Sequence, residues 1–201
     1  MATSPEQDTI DKYTLLMSRV KRRIDFLSND WPPRVPKIIG AEIAAVQLRK
    51  LCEMVVFSSL VVNKTKYAEL HVNYARHWRI KNIMEEIAAF HPHYFPIPAV
   101  DVDGHIQHLS GPQYLDESEL IEIYNDASGI LHADRPYAGD SEPIDQFMST
   151  VQPRVSKFRN LLNKHVTHPF SEMHLHMFIV HMTEHGKNSP TVYQFNVVGP
   201  A

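Results

Sequence analysis

The chain has 201 residues, 43% of them hydrophobic, and a formal net charge of -3 at pH 7. This length and composition favour one globular domain with a proper core and exclude a disordered or fibrous protein. The near balance of charge excludes a global attraction to nucleic acid or to an anionic membrane, so any RNA binding has to be local or built across an oligomer.

The single cysteine, Cys52, excludes an internal disulfide framework, and its setting LRKLCEMVVF indicates a core position. The N-terminus carries no secretory signal and no segment reaches the roughly 18 apolar residues of a membrane span, so we expect a cytoplasmic protein without membrane contact. The 13 histidines could indicate a metal, but none falls in a recognisable ligand frame. We therefore expect neither a metal nor another cofactor.

Capping residues and apolar periodicity predict the first two helices. Ser4, Pro5 and Gln7 are typical of a helix start, and apolar residues recur every three or four positions from Ile10 to Leu27. The prolines of SNDWPPRVPK end this helix. From about residue 40 to 62 apolar residues lie on most sides, which predicts a central, buried helix.

Three further helices are predicted. The third runs from about 74 to 90, and the fourth opens at Asp116 and continues through LIEIYNDASGILH. The fifth starts after Ser141 and continues to about His165, with a kink expected at Pro153.

Two hairpins complete the predicted architecture. Asp103 and Gly104, between alternating apolar residues, predict a small hairpin at 99–109. The β-branched and aromatic residues of the last thirty positions predict a C-terminal hairpin. The fold class is therefore mainly α, a five-helix bundle that is α+β by strict count. We expect a single domain, 1–201, with a helical body at 1–171 and a hairpin appendage at 172–201.

The stretch KFRNLLNKH at 157–165 contains an arginine, a polar residue directly after it and a histidine six positions downstream, namely Arg159, Asn160 and His165. At a phosphodiester, a histidine can act as general base or acid, an arginine can hold the phosphate, and Asn160 can add a hydrogen bond. In one regular helix, about 100° per residue places Arg159 and His165 about 120° apart. Cooperation then requires an unwound turn near Asn163, an arginine reaching round, or a second subunit. The alternative is two ordinary polar residues at a helix end.

The pattern of Arg159, Asn160 and His165 is similar to the signature of the HEPN superfamily, an arginine and a histidine separated by four to six residues. EIAAVQLRKLCEMVVF at 42–57 also resembles the long second helix of several members. The resemblance implies a compact helical homodimer in which the arginine and histidine of each subunit meet in a shared cleft. In active members it implies metal-independent RNA cleavage, often by toxins or antiviral defence components.

A second stretch, YNDASGILHADRPY at 124–137, competes for the same role. Its His132 follows a helix as the motif histidine does, but the upstream position carries Asp126 instead of an arginine. If this stretch is the equivalent, the protein is a degenerate, non-catalytic version of the scaffold, and Ser128, His132 and Arg135 are structural or ligand-facing.

Two functions of different classes therefore follow from the sequence. The first is a HEPN-like ribonuclease or RNA-binding component of a stress or defence system, acting as a homodimer. The alternative is a non-catalytic helical module that binds a partner protein through its hairpins and the LHADRPY loop.

Overall fold

The computed structural model describes residues 5–29, 34–71, 79–132, 142–170, 176–183 and 189–196. In these segments the chain forms six helices and five strands: α1 Pro5–Asn29, α2 Lys37–Val62, α3 Lys64–Leu70, α4 Ile80–Phe90, β1 Ile97–Val102, β2 His105–His108, α5 Glu117–Leu131, α6 Glu142–Leu162, β3 Lys164–Thr167, β4 His176–His181 and β5 Thr191–Asn196. The predicted class, mainly α and α+β by strict count, is confirmed. No helix in the described segments is long and apolar enough to cross a membrane.

The centre of the core is α2, in which 13 residues are buried. It packs against α1, α4, α5 and α6, as expected of a helix that is apolar on most sides and cannot turn a face to water. Cys52 is fully buried here, which confirms its predicted core position.

The predicted apolar seam of α1 is confirmed. Its buried members follow one another at intervals of four and three residues, so they share one face of the helix. That face packs mainly on α2 and α6. The fully or nearly fully buried residues of the seam are Tyr13, Met17, Val20, Ile24 and Leu27.

All five described strands form one antiparallel sheet, in the order β2-β1-β3-β4-β5. The first predicted hairpin is present as β1 and β2, and its turn residues Asp103 and Gly104 have φ values of 53° and 79°. Such positive φ values are what a tight two-residue hairpin turn requires. The second predicted hairpin is present as β4 and β5.

The prediction that the last long helix continues to about His165 is wrong. The helix ends at Leu162, and Lys164–Thr167 is the strand β3. The Asn163 N–H closes the last helical turn on the Arg159 carbonyl at 2.8 Å, and the Asn163 carbonyl then accepts from the Met182 N–H at 2.9 Å. This second bond ties the end of α6 to the sheet.

Two other helix predictions are also corrected. The helix expected at about 74–90 is described from Ile80 to Phe90, while 72–78 lie outside the described residues. The short helix α3, Lys64–Leu70, was not predicted, so the described segments contain six helices where five were expected.

Candidate functional site

His165 lies in the core, on the central strand β3, and is 0% exposed. Its Nδ1 is 2.9 Å from the Leu162 carbonyl oxygen, which can only accept, so Nδ1 carries the proton. Nε2 then accepts a hydrogen bond from the Tyr13 hydroxyl at 2.8 Å. Burial lowers the pKa of His165 to about 4, although the bond to Leu162 works in the opposite direction. His165 is therefore a neutral core histidine with both ring nitrogens bonded.

Arg159 lies elsewhere, on the exposed side of α6, where its guanidinium donates to the Ser28 hydroxyl near the end of α1. His165 contacts the same helix at Tyr13. At about 1.5 Å per residue, Tyr13 and Ser28 are about 22 Å apart along α1. The structure therefore does not bring Arg159 and His165 together within one chain, even though the helix does end near Asn163.

Asn160, the polar residue of the motif, ties two elements together. Its side-chain Nδ2 donates to the Gln113 carbonyl at 3.0 Å, which holds the segment before α5 against α6. Asn160 is exposed, and the described segments contain no hydrogen bond between it and His165. Its bond to Gln113 is a structural one.

The competing stretch at 124–137 is partly described. The Ser128 hydroxyl donates to the Tyr124 carbonyl at 2.7 Å, and His132 is the exposed residue that directly follows the last residue of α5. Asp126, which stands where the motif arginine would be, accepts from Arg154 of α6. Arg135 lies outside the described residues, as does most of the LHADRPY loop.

The described segments contain no group of three or more histidine, cysteine, aspartate or glutamate residues arranged to hold a metal ion. Cys52, buried in α2, is within 3.5 Å of the Leu120 carbonyl, and burial raises the pKa of its thiol. A buried thiol with a raised pKa is an inert packing residue and not a nucleophile.

Sequence reasoning missed a cationic surface on α1. A cavity of about 260 Å³ is lined by Arg19, Arg22, Arg23 and Phe26 of α1 together with Gln47 of α2, a set that we call the arginine face. The four α1 positions follow the i, i+3, i+4, i+7 spacing of one helix side. Among the described residues, no carboxylate forms an ion pair with these arginines. The run VKRRIDF at 20–26 was the feature of the sequence that could have revealed this surface.

Arg23 is the innermost cation of the arginine face. Its Nη1 donates to Gln47 Oε1, while its Nε is buried and has no hydrogen-bond partner among the described residues. Burial lowers the pKa of the Arg23 guanidinium, and the charges of Arg22 and Arg19 lower it further, against a favourable effect of Glu53. That carboxylate is already bonded to α2 cations, with Lys50 at 2.6 Å. An anion bound here would relieve repulsion among the arginines.

No family model, curated protein or solved structure matches the chain. The similarity to HEPN proteins at Arg159, Asn160 and His165 therefore stays a prediction, and so does the homodimer that it implies.

Proposed function

We propose that the protein binds single-stranded RNA through the arginine face and does not use Arg159 and His165 to cleave it. The observation that supports this function is the cluster of three arginines that has no carboxylate partner among the described residues. Of the function expected from the sequence, the proposal retains RNA binding and omits RNA cleavage by Arg159 and His165.

Phosphate is the anion that suits this cluster. Each guanidinium offers a planar set of N–H donors that can bind a phosphate with two parallel hydrogen bonds. The face extends from Arg19 to Phe26, about 10 Å along α1. At about 3.4 Å per phosphate, the axial spacing along one strand of stacked B-form DNA, this length corresponds to up to about three stacked nucleotides.

A single strand fits the arginine face better than a duplex. Phe26 is partly exposed in the same cavity as the arginines, so its ring can stack against an unpaired base. In an RNA duplex the bases are paired, and the deep, narrow major groove does not admit side chains readily, so Phe26 would have no base to stack on.

Cleavage by the motif residues has no geometric support within one chain. A general base has to come within hydrogen-bond reach of the substrate, and His165 is fully enclosed with a pKa of about 4. A second subunit does not remove this obstacle, because His165 is covered by its own chain.

The proposal is tested by fluorescence anisotropy with a short labelled single-stranded RNA over a range of salt concentrations. The double variant Arg19→Gln/Arg22→Gln removes two exposed cations and is expected to weaken binding on the order of tenfold. It should also reduce the slope of log K against log salt by about 1.4, which is about 0.7 for each lost phosphate contact.

The matched control is Lys12→Gln/Lys81→Gln, which makes the same change in charge. Both lysines are exposed and pair with carboxylates of their own helices, at 2.6 Å and 3.8 Å. This control should bind RNA almost as the unaltered protein does. An equal loss in both double variants, or no RNA binding by the unaltered protein, refutes the arginine face.

The same samples test for cleavage. With a chelator present, the RNA should remain intact on a denaturing gel. Cleavage that disappears in a folded His165→Ala or Arg159→Ala protein contradicts the second half of the proposal.

A further inference from the structure

A second cavity lies where the last turn of α6 meets α1 and the residues after β4. Its volume is about 190 Å³. At about 30 Å³ per water molecule, this is room for about six waters, so the cavity suits a group of few heavy atoms. Its α1 residues, Lys21, Ile24 and Asp25, are centred about 160° around the helix from the arginine face. The two sites are therefore independent.

The cavity has an apolar floor. Ile24 of α1, Leu162 of α6 and Met182 after β4 line it, and each is at most 5% exposed. Three side chains from three different elements meet here, so the shape of the floor depends on tertiary packing. A small aliphatic group bound here is stabilised in proportion to the apolar surface that it removes from water.

Hydrogen-bond donors stand on the rim. Arg159 and Asn163 are four residues apart at the end of α6, and both line the cavity. The bond to Ser28 uses one of the five guanidinium donors, and no described carboxylate pairs with Arg159. The Oδ1 of Asn163 accepts from the Thr183 hydroxyl at 3.2 Å, which leaves its Nδ2 as a further donor.

The charge at this rim is positive. Lys21 and Asp25 also line the cavity, but they form an ion pair with each other at 2.5 Å, so the charge of Arg159 remains. The negative end of the α6 dipole would oppose an anion. That effect is reduced here because the carbonyls of Leu162 and Asn163 accept hydrogen bonds from His165 and from Met182.

We propose that this cavity binds a small aliphatic carboxylate. The aliphatic chain lies on Ile24, Leu162 and Met182, and the carboxylate accepts from the Arg159 guanidinium and the Asn163 amide. Two sources share this chemistry: a free branched-chain carboxylic acid, and the C-terminal residue of a peptide that ends in leucine or valine.

The test is an amide NMR titration of the full chain with isovalerate at millimolar concentrations. The amide signals of Ile24, Asn163 and Thr183 are expected to shift, while those of the arginine face stay in place. Neutral isovaleramide, which has the same shape without the charge, should bind about tenfold more weakly. Arg159→Gln should weaken isovalerate binding by a similar factor, while the distant Lys12→Gln should not.

A second arm compares a short peptide ending in leucine with its C-terminal amide. Tighter binding of isovalerate than of the leucine peptide identifies a metabolite site, and tighter binding of the peptide identifies a peptide site. The proposal is overturned if neither carboxylate shifts these signals, if isovaleramide binds as well as isovalerate, or if Arg159→Gln binds unchanged. Arg159 is exposed, and a preserved spectrum of the variant confirms its fold.

Discussion

The surroundings of His165 determine which protonation state the fold accepts. In the folded chain its Nε2 accepts a hydrogen bond from the Tyr13 hydroxyl, which lies beside the hydroxyls of Ser58 and Thr167. A protonated ring would carry its charge where no water reaches it, and the Tyr13 hydroxyl would have to turn its proton elsewhere. The folded protein therefore favours neutral His165.

This preference makes stability depend on pH. The pKa of His165 is about 4 in the folded chain, against an ordinary value of 6.5, so the unfolded chain takes up the proton more readily. The contribution of His165 is complete above pH 6.5 and is lost as the pH falls from 6.5 towards 4, by about 3 kcal/mol in total. Urea unfolding at a series of pH values measures the loss. NMR signals of the His165 ring should titrate near pH 4, and a midpoint near 6.5 in the folded protein contradicts this assignment.

Local chemistry determines where several elements begin and turn. Asp116 precedes α5, and its Oδ1 accepts from the Glu119 N–H at 2.8 Å, so one of the free amides at the helix start is bonded. Acidic residues in the first turn, Glu117 and Glu119, add a favourable interaction with the helix dipole.

Removal of this cap should weaken the fold measurably. Asp116→Ala is expected to lower the free energy of unfolding by about 1 kcal/mol, read as a shift of the urea midpoint at constant slope. Asp116→Asn keeps an oxygen acceptor and should stay close to the unaltered protein. Ser118→Ala, an exposed neighbour, is the control. If Asp116→Ala and Ser118→Ala behave alike, the cap contributes nothing.

The elements that depend on neighbouring residues were predictable from the sequence. The seam of α1, the start of α5 and the turn at Asp103 and Gly104 all rest on residues a few positions apart. The strand β3 was not predictable in this way, because its partners are β1 and β4 and its buried histidine is bonded to Tyr13, 152 residues away. The same holds for the arginine face, which needs Gln47 of α2 to form a cavity.

At the scale of the whole molecule, the sheet joins what the sequence suggested were a body and an appendage. Phe178, Val180 and Met182 belong to the same core as the helices, and β4 pairs with β3 along Lys164–Thr167. At about 1.5–3 kcal/mol for each large buried apolar side chain, these three contribute about 5–9 kcal/mol. That is comparable to the entire stability of many domains.

A chain ending at residue 171 should therefore fail to fold cooperatively. We expect no sigmoidal thermal transition by circular dichroism, because the truncation exposes β3 and removes part of the main core. A chain ending at Asn196 serves as the control and should retain the transition. Cooperative unfolding of the shorter chain at an unchanged midpoint would support the predicted division into a body at 1–171 and an appendage at 172–201.

The junction between β1 and β3 also bears on how the chain reaches this fold. Hairpin β1–β2 and the meander β3–β4–β5 are each built from segments close in sequence, and among the described residues they pair directly at Ile97 with Val166 and at Pro98 with His165. Ile97 and Val166 are about 70 residues apart in the sequence. Closing a loop of that length costs about 4 kcal/mol of chain entropy before any contact offsets it. The sheet is thus two locally formed pieces joined at the β1–β3 seam, and α6, which contacts both strands, helps to supply the free energy that closes it.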